Sequence, residues 1–325
     1  MSTVVVSDFT WEGLDIERAI LEPLGCEIVE AQCTTVAETI DACRDADQII
    51  SQYSPLTAEV VGQLVNAKVI VRYGVGYDNV DVEAAAAKGI PVCNVPDYCI
   101  EEVADTTLGL ILSSIRQFGV NHRYVQQGHW GLGVPLERMF ALHTMAVGVV
   151  GFGRIGQAVA ARLRAFNCRI LVFDPVVDDA DIKAAGYEPV SLEGIWANSD
   201  LVTLHCPANK HTNNLVAAEA IDQMKEGVIL VNCARGTVVN TSDLTAALES
   251  GKIGFAALDV VAPEPLPVDH PLRTMENVLI NSHLAVATVD CVERLRRYVA
   301  ETVACSVRGE PVPNVVNGVA QAGQG

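Results

Sequence analysis

The chain has 325 residues, half of them hydrophobic, and carries a formal net charge of −18. A negative field of this size opposes binding to nucleic acid and to anionic membranes. No apolar run has the length needed to span a bilayer, and no leader with a basic start and an apolar stretch is evident. We therefore expect a two-domain cytoplasmic protein without nucleic-acid or membrane partners.

The ten cysteines form no C-x-x-C pair and show no metal-ligand spacing. Several of them stand in or beside apolar strands, where cysteine behaves as a small hydrophobic residue. The pattern favours reduced thiols and predicts neither a disulfide framework nor a metal site.

The first hundred residues alternate strand and helix patterns. The predicted strands are 4–6, 27–30, 48–51, 68–71 and 91–94, and the predicted helices are 15–24, 35–43, 57–64 and 82–88. Alternation of this kind predicts a parallel sheet with helices on both faces. The next segment, 100–117, is predicted to be one long helix that leads out of the first domain.

A glycine-rich turn opens the second half of the chain. Residues 145–174 are predicted to form a strand, a tight turn, a helix and a second strand. Gly151 allows the sharp turn, Gly153 lets the backbone approach a pyrophosphate, and Gly156 lets the helix pack closely on the strand. Asp174 ends the second strand, where a carboxylate accepts ribose hydroxyls and repels a 2′-phosphate. The fingerprint therefore predicts NAD as the cofactor rather than NADP.

Four more strands are predicted at 201–205, 228–232, 254–259 and 278–281, which completes a doubly wound sheet of six. Because this sheet is full, the predicted helix 289–307 and the extended tail 312–317 are expected to return to the first domain. The predicted fold class is α/β, with a Rossmann cofactor domain (100–285) inserted in a flavodoxin-like substrate domain (1–99 plus 286–325). The active site is expected in the cleft between them.

Three polar side chains follow strands of the second sheet, at the edge where such sheets bind ligands. Arg235 can hold a carboxylate with two parallel hydrogen bonds, although a surface salt bridge would use the same residue. Glu264 lies in a stiff, proline-rich loop and can orient a histidine. His283 directly follows a strand and can exchange a proton with a carbonyl or alcohol oxygen near neutral pH.

Taken together, these motifs resemble the D-isomer-specific 2-hydroxyacid dehydrogenases. The resemblance rests on the G-x-G-x-x-G turn with its acid, the N-x-A-R-G element, the L-D-V-x-x-x-E-P element and the following S-H pair. Residues 72–81 resemble the substrate loop of the family, and residues 95–98 resemble its domain crossover. The family includes phosphoglycerate dehydrogenases, glyoxylate and hydroxypyruvate reductases, and the C-terminal binding proteins.

The resemblance implies catalytic roles for three residues. Arg235 would bind the substrate carboxylate and polarise the keto group, His283 would be the acid/base, and Glu264 would be its partner. Glu264 is also expected to keep His283 protonated to higher pH.

The resemblance also implies binding contacts. The backbone N–H groups of Val75 and Gly76 would hold the carboxylate of a small 2-hydroxy or 2-keto acid, and Tyr98 would face the substrate. A homodimer is implied, with its contact formed by helix 100–117 and segment 121–140. The implied contacts to NAD are Gly151, Gly153, Arg154, Ile155, Gly156, Asp174, Cys206, Pro207, Cys233, Ala234 and Asp259.

The sequence leaves the substrate open. Ser282 stands where most family members have proline, and residues 284–287 replace glycines that are common after the histidine. Glyoxylate and hydroxypyruvate rank first, and 3-phosphoglycerate ranks lower because no cation cluster beyond Arg72 is evident. Two alternatives stay open: an NAD-binding regulator like the C-terminal binding proteins, favoured by residues 96–105, and an enzyme for an unusual anion such as phosphite.

Overall fold

The structure is a computed structural model that describes residues 2–319. Its contacts divide the chain into two compact units, Met1–Tyr98 with Thr288–Gly325, and Cys99–Ala287. The first unit is built from two segments of the chain, and the second unit is inserted between them. Among residues 2–319, no helix combines the length and the apolar character that a membrane crossing requires.

The first unit contains a five-stranded parallel sheet. Its N-terminal segment contributes β1 (Ser2–Val6), α1 (Asp15–Leu21), β2 (Cys26–Glu30), α2 (Val36–Cys43), β3 (Gln48–Ser51), α3 (Ala58–Gln63), β4 (Val69–Arg72), α4 (Val82–Ala87) and β5 (Val92–Cys93). The strand order β2-β1-β3-β4-β5 is the flavodoxin-like order, as predicted. The central strands β3 and β4 bury every residue, because helices cover both faces of a parallel sheet.

Helix α1 ends three residues before its predicted end. The predicted helix ran to residue 24, but the α-helix stops at Leu21 and a 3-10 turn, Glu22–Leu24, follows. Pro23 explains the difference, because proline has no N–H to donate to the preceding helical turn.

The second unit contains a seven-stranded parallel sheet. Its elements are α5 (Ile100–Arg116), α6 (Phe118–Gln126), β6 (Ala146–Val150), α7 (Arg154–Arg164), β7 (Arg169–Phe173), α8 (Asp179–Ala184), β8 (Glu188–Pro189), α9 (Leu192–Asn198), β9 (Leu201–Leu204), α10 (Ala218–Gln223), β10 (Val228–Asn232), α11 (Thr241–Ser250), β11 (Ile253–Leu258) and β12 (Val278–Ile280). The strand order is β12-β11-β10-β9-β6-β7-β8. The doubly wound Rossmann pattern is confirmed, but the predicted count of six strands is wrong. The additional strand, β8, has two residues and therefore no apolar run to reveal it.

The chain then returns to the first unit. Helix α12 (Val289–Arg308) belongs to that unit, and the tail after it runs along β5. The Val316 N–H donates to the Val92 carbonyl at 2.8 Å. The side chain of Asn317 accepts from the Val92 N–H at 3.1 Å and donates to the Ile90 carbonyl at 2.8 Å. The tail thus covers the outer edge of the first sheet.

A buried ion pair joins α12 to α1. Arg296 donates from Nε to Glu17 Oε1 at 3.0 Å and from Nη2 to Glu17 Oε2 at 2.7 Å. The Tyr73 hydroxyl donates to the same Oε1 at 2.8 Å, and the Trp11 ring lies 5.3 Å from the guanidinium carbon. Burial, followed by the Glu17 charge, raises the pKa of Tyr73 well above its usual value. The group ties the two segments of the unit together just before the loop that follows β4.

We expect Arg296→Ala to lower the free energy of unfolding by about 3–5 kcal/mol, because it leaves the fully buried Glu17 carboxylate without its cation. Arg297→Ala is the matched control on the same helix. Its partner is Glu293, both side chains are about half exposed (52% and 53%), and the expected loss is below about 1 kcal/mol. Urea unfolding followed by fluorescence measures both variants. Equal losses would show that the buried pair contributes no more than a surface pair.

Candidate active site

The three glycines of the turn after β6 differ in what surrounds them. Gly151 has a φ of +94°, and a Cβ added there would lie 2.7 Å from the backbone nitrogen of Cys206. A Cβ on Gly156 would lie 2.0 Å from the Gly151 carbonyl oxygen. In contrast, no heavy atom of the described residues beyond its chain neighbours lies within 4 Å of a Cβ added at Gly153. Packing within the fold therefore requires glycine at positions 151 and 156. At position 153, the space that a side chain would occupy is open.

Helix α7 begins at this open space. Gly153 is its N-cap and supplies no side chain to cap it. Within residues 2–319, the N–H groups of Arg154, Ile155 and Gly156 have no hydrogen-bond acceptor. Unpaired N–H groups and the positive end of the helix dipole bind anions. The turn therefore fits the pyrophosphate of a dinucleotide, as the sequence predicts.

Asp174 is held beside the same turn. Its Oδ2 accepts from the Phe152 N–H at 2.7 Å, and its Oδ1 accepts from the N–H groups of Val176 and Val177 at 2.8 and 3.2 Å. The half-buried carboxylate is thus fixed in orientation. Because a carboxylate has about four acceptor sites and three are occupied here, Oδ2 can still accept a hydroxyl group of a ribose.

His205, next to Cys206 and Pro207, was not singled out from the sequence. Its Nε2 lies 2.9 Å from the Thr203 hydroxyl, and its Nδ1 is buried. Burial lowers the pKa of His205 to about 3, so the ring is neutral at physiological pH. Its backbone carbon would lie 2.7 Å from a Cβ on Gly151. We therefore assign His205 to the support of the turn and not to acid/base chemistry.

Two cysteines predicted at the cofactor follow β9 and β10. Burial raises the pKa of Cys206 to about 11 and that of Cys233 to about 12. A hydrogen bond with Thr107 offsets part of the shift at Cys233. Both side chains are therefore neutral thiols near pH 7, and neither is an activated nucleophile.

The loop after β10 carries Arg235. The fully buried Asn232 closes this loop, because its Oδ1 accepts from the Ala234 N–H and its Nδ2 donates to the Arg235 carbonyl, both at 2.9 Å. Arg235 Nη1 donates to the Ala234 carbonyl at 2.8 Å. A Cβ on Gly236 would lie 1.9 Å from the carbonyl oxygen of Val261. The arginine loop therefore packs directly on the backbone of the loop that follows β11.

Asp259 joins the loop after β11 to the loop after β12. Its buried carboxylate accepts from the N–H groups of Leu284 and Ala285 at 2.9 and 3.1 Å. The His283 N–H donates to the Asp259 carbonyl at 2.8 Å, and His283 has a left-handed φ of +60°. Asp259 thus holds the backbone on both sides of the His283 side chain, a role that the sequence did not reveal.

The structure brings together the predicted acid/base residue and its predicted partner. His283 Nδ1 lies 2.6 Å from Glu264 Oε1. The Thr241 hydroxyl donates to the Ala262 carbonyl at 2.5 Å, and this hydrogen bond anchors the loop that carries Glu264. A histidine held through Nδ1 by a carboxylate presents Nε2 for proton exchange.

The predicted substrate loop lies in the first unit. Gly74 has a φ of +140°, and its carbonyl accepts from the Val95 N–H at 3.0 Å. The Val75 carbonyl accepts from Asn94 Nδ2 at 2.7 Å. The N–H groups of Val75 and Gly76 have no acceptor in the part of the chain that the structure describes. Two consecutive backbone donors are thus available for an anion.

Arg72 and Tyr98 pack against this loop. A Cβ on Gly74 would lie 1.7 Å from Arg72 Nη1 and 3.4 Å from the Tyr98 hydroxyl. The Arg72 guanidinium carbon also lies 5.9 Å from the ring centroid of Tyr53. The carbonyl of Tyr98 accepts from Arg294 at 2.8 Å, which fixes the tyrosine to α12. The Arg72 guanidinium and the Tyr98 hydroxyl therefore lie against the loop at Gly74.

Comparison with known proteins places these features in a family. Residues 108–285 match the model described as D-isomer specific 2-hydroxyacid dehydrogenase, NAD binding domain. That range contains the glycine turn, Asp174, Arg235, Glu264 and His283.

Named relatives agree with this match. A glyoxylate reductase from Korarchaeum cryptofilum is 37% identical over 281 residues, which cover 86% of this chain and 85% of that protein. A D-3-phosphoglycerate dehydrogenase from Methanocaldococcus jannaschii is 37% identical over 300 residues, which cover 92% of this chain and 56% of that longer protein. The crystal structure of D-lactate dehydrogenase from Aquifex aeolicus, complexed with NAD and lactic acid, is 29% identical, with a TM-score of 0.85 and coverage of 94% of this chain and 96% of that chain.

The glycine turn yields a test that separates binding from folding. We expect Gly153→Ala to keep the melting temperature and to weaken NADH binding about tenfold or more, because the added methyl meets no protein atom but displaces the pyrophosphate from its N–H donors. Gly156→Ala, whose methyl would meet a backbone oxygen, should lower the melting temperature instead. NADH fluorescence titration and thermal unfolding measure the two effects. Unchanged NADH affinity in Gly153→Ala would contradict this position for the pyrophosphate.

Proposed function

Since this chain belongs to the D-isomer-specific 2-hydroxyacid dehydrogenase family, it is an NAD-dependent oxidoreductase, and we propose that it interconverts a small D-2-hydroxy acid and its 2-keto acid. The observation that carries the proposal is the contact of 2.6 Å between His283 Nδ1 and Glu264 Oε1. A histidine paired in this way is suited to donate a proton to a carbonyl oxygen and to take it back from an alcohol.

Arg235 is proposed to bind the substrate carboxylate. A guanidinium remains charged at all physiological pH values and matches a carboxylate with two parallel hydrogen bonds. It also draws negative charge toward the carbonyl oxygen as that charge develops. The loop that carries Arg235 is fixed by Asn232 and by the contact at Gly236, so little reorganisation is needed when the substrate binds.

His283 is proposed to move the proton. The nicotinamide of NAD, when bound, supplies or accepts the hydride. During reduction, protonated His283 donates to the carbonyl oxygen of the keto acid; during oxidation, neutral His283 accepts the hydroxyl proton. Glu264 stabilises the charged imidazole and fixes the ring through Nδ1. Cys206 and Cys233, which are partly buried neutral thiols, take no part in this exchange.

The cofactor is proposed to bind along the carboxyl edge of the second sheet. The N–H groups at the start of α7 would hold the pyrophosphate, and Asp174 would accept the adenosine ribose hydroxyls and exclude NADP. The proposed cofactor contacts are Gly151, Gly153, Arg154, Ile155, Gly156, Asp174, Cys206, Pro207, Cys233, Ala234 and Asp259.

Glyoxylate and hydroxypyruvate are the substrates that we propose first. A relative that covers most of this chain is named glyoxylate reductase. Val75, Gly76 and Tyr98 are proposed as substrate contacts in the first unit, where the two unpaired N–H groups support the assignment.

We also propose a cytoplasmic homodimer. The segment from α6 to residue 140 exposes large apolar side chains that a single subunit leaves in water. The most exposed are Phe118 (57%), Trp130 (91%), Leu132 (53%) and Leu136 (66%). Apolar patches of this kind are typical of contacts between subunits.

The decisive experiment is the loss of NADH absorbance with purified protein and a panel of glyoxylate, hydroxypyruvate, pyruvate and 3-phosphohydroxypyruvate, with NADPH in parallel. We expect turnover of at least one acid with NADH, and Arg235→Ala should lower kcat/KM about 100- to 1,000-fold because it removes a charged carboxylate contact. Tight NADH binding without turnover of any acid would contradict the proposal and favour a regulator or an enzyme for another anion, such as phosphite.

Glu264 gives a separate prediction. Its carboxylate holds the His283 ring through Nδ1, so Glu264→Gln, which removes the negative charge beside the ring, should lower kcat for reduction about tenfold or more. The control is Glu293→Gln, which changes an exposed carboxylate on α12 and should leave kcat unchanged. A kcat that Glu264→Gln does not lower would remove Glu264 from the mechanism.

A further inference from the structure

We propose that Asn94 is a positioning residue that turns the loop after β4 into a binding nest for the substrate carboxylate. Asn94 follows β5, is 8% exposed, and donates from Nδ2 to the Val75 carbonyl at 2.7 Å. The inference rests on the proposed function, because it assigns the anion held by this loop as the carboxylate of the 2-keto acid. In this proposal Asn94 acts by holding the loop and not by binding the substrate itself.

Peptide geometry explains how Asn94 orients the N–H groups of Val75 and Gly76. In a trans peptide the carbonyl of one residue and the N–H of the next point in opposite directions. The Asn94 amide holds the Val75 carbonyl, so the Gly76 N–H is directed away from Asn94. In the same way, the Val95 N–H holds the Gly74 carbonyl at 3.0 Å, so the Val75 N–H is directed away from Val95. Two consecutive N–H groups are therefore oriented by one short segment of chain.

These two donors have no other use within residues 2–319. Neither the Val75 N–H nor the Gly76 N–H has an acceptor there, although both residues are partly buried. A partly buried N–H without a partner costs free energy unless a ligand or solvent pairs with it. The arrangement therefore leaves two adjacent donors available to a ligand, and an anion can pair with both.

The surroundings of the loop favour an anion as well. The Arg72 guanidinium packs on Gly74, where an added Cβ would lie 1.7 Å from Nη1. A cation beside two N–H donors matters in a chain with a net charge of −18, because the overall field repels an anionic substrate. Two adjacent donors match the two oxygens of one carboxylate.

Asn94 follows a strand that is supported on both sides. Strand β5 pairs with β4 on one side, and the tail lies along its other side, where the Asn94 N–H reaches the Asn314 carbonyl at 3.4 Å. The loop, in contrast, contains Gly74 at a φ of +140°, a backbone conformation that residues other than glycine rarely adopt. Asn94 thus holds a loop of special backbone conformation from a well-supported strand, so that little ordering is left for the substrate to induce.

The test compares Asn94→Asp and Asn94→Ala with Asn317→Ala. Aspartate has nearly the shape of asparagine, but its carboxylate cannot donate to the Val75 carbonyl. Asn317 is the matched control, because it also binds backbone at β5, at Ile90 and Val92, without touching the loop. The measurements are KM and kcat for glyoxylate and hydroxypyruvate with NADH, calorimetric binding of oxamate to the NADH complex, and thermal unfolding. Oxamate is an unreactive carboxylate of similar size.

We expect both Asn94 variants to raise KM and the Kd for oxamate roughly 10- to 100-fold, with kcat changed less than about threefold, since the nest binds ground state and transition state alike. Asn317→Ala should leave KM and oxamate binding unchanged even where it lowers the melting temperature as much. If the wild-type protein is active and the Asn94 variants keep its KM, the inference is wrong and the proposed function stands.

The remaining outcomes separate the two claims further. If the wild-type protein binds oxamate more tightly than the Asn94 variants do but turns over no acid, the nest is supported and the proposed reaction fails. If the wild-type protein neither reacts with any acid nor binds oxamate, both claims fail. A parallel fall in kcat and melting temperature in the Asn94 variants, without a selective rise in KM, would assign Asn94 to structure alone.

Discussion

The contact of the Val261 carbonyl with Gly236 is the constraint on which the rest of the candidate active site depends. A Cβ at position 236 would lie 1.9 Å from that oxygen, so only glycine lets the two backbones meet. Arg235 directly precedes this contact, and Glu264 follows Val261 by three residues. Glu264 in turn sets the position of the His283 ring at 2.6 Å. One backbone contact therefore relates Arg235, the proposed carboxylate-binding residue, to Glu264 and His283, the proposed proton-transfer pair, and neighbouring parallel strands supply the remaining alignment.

Most of the fold was predictable because its strands are buried on both faces and therefore read as apolar runs between helices of 3.6-residue period. The sequence-based prediction failed at two places that no apolar run or helical period marks. Strand β8 is Glu188–Pro189 and joins the sheet only because β7 is there to pair with it. Helix α1 stops at Leu21 because of Pro23, which a period-based prediction passes over. Both errors arise where one residue or one neighbour outweighs the periodic pattern.

The candidate site divides in the same way. The sequence could single out Arg235, Glu264 and His283 as candidates because each would carry its chemistry in its own side chain and each follows a strand. Asp259 was expected to contact NAD, and the structure shows that its carboxylate accepts from two backbone N–H groups after His283. Asn94 was not singled out at all. A polar side chain that acts by holding the backbone of a distant segment leaves no local signal, since only the fold determines which backbone it reaches.

The net negative charge of the chain is consistent with a candidate site that offers backbone N–H groups to anions. A protein with a net charge of −18 must bind a negatively charged cofactor and an acid. The start of α7 and the loop at Val75 and Gly76 offer N–H groups, which keep their positive ends at every pH. Burial holds the pKa of Cys233 near 12 and that of His205 near 3, and guanidinium groups stay protonated, so none of these changes charge near neutrality. Anion binding by these N–H and guanidinium groups is therefore insensitive to pH near neutrality.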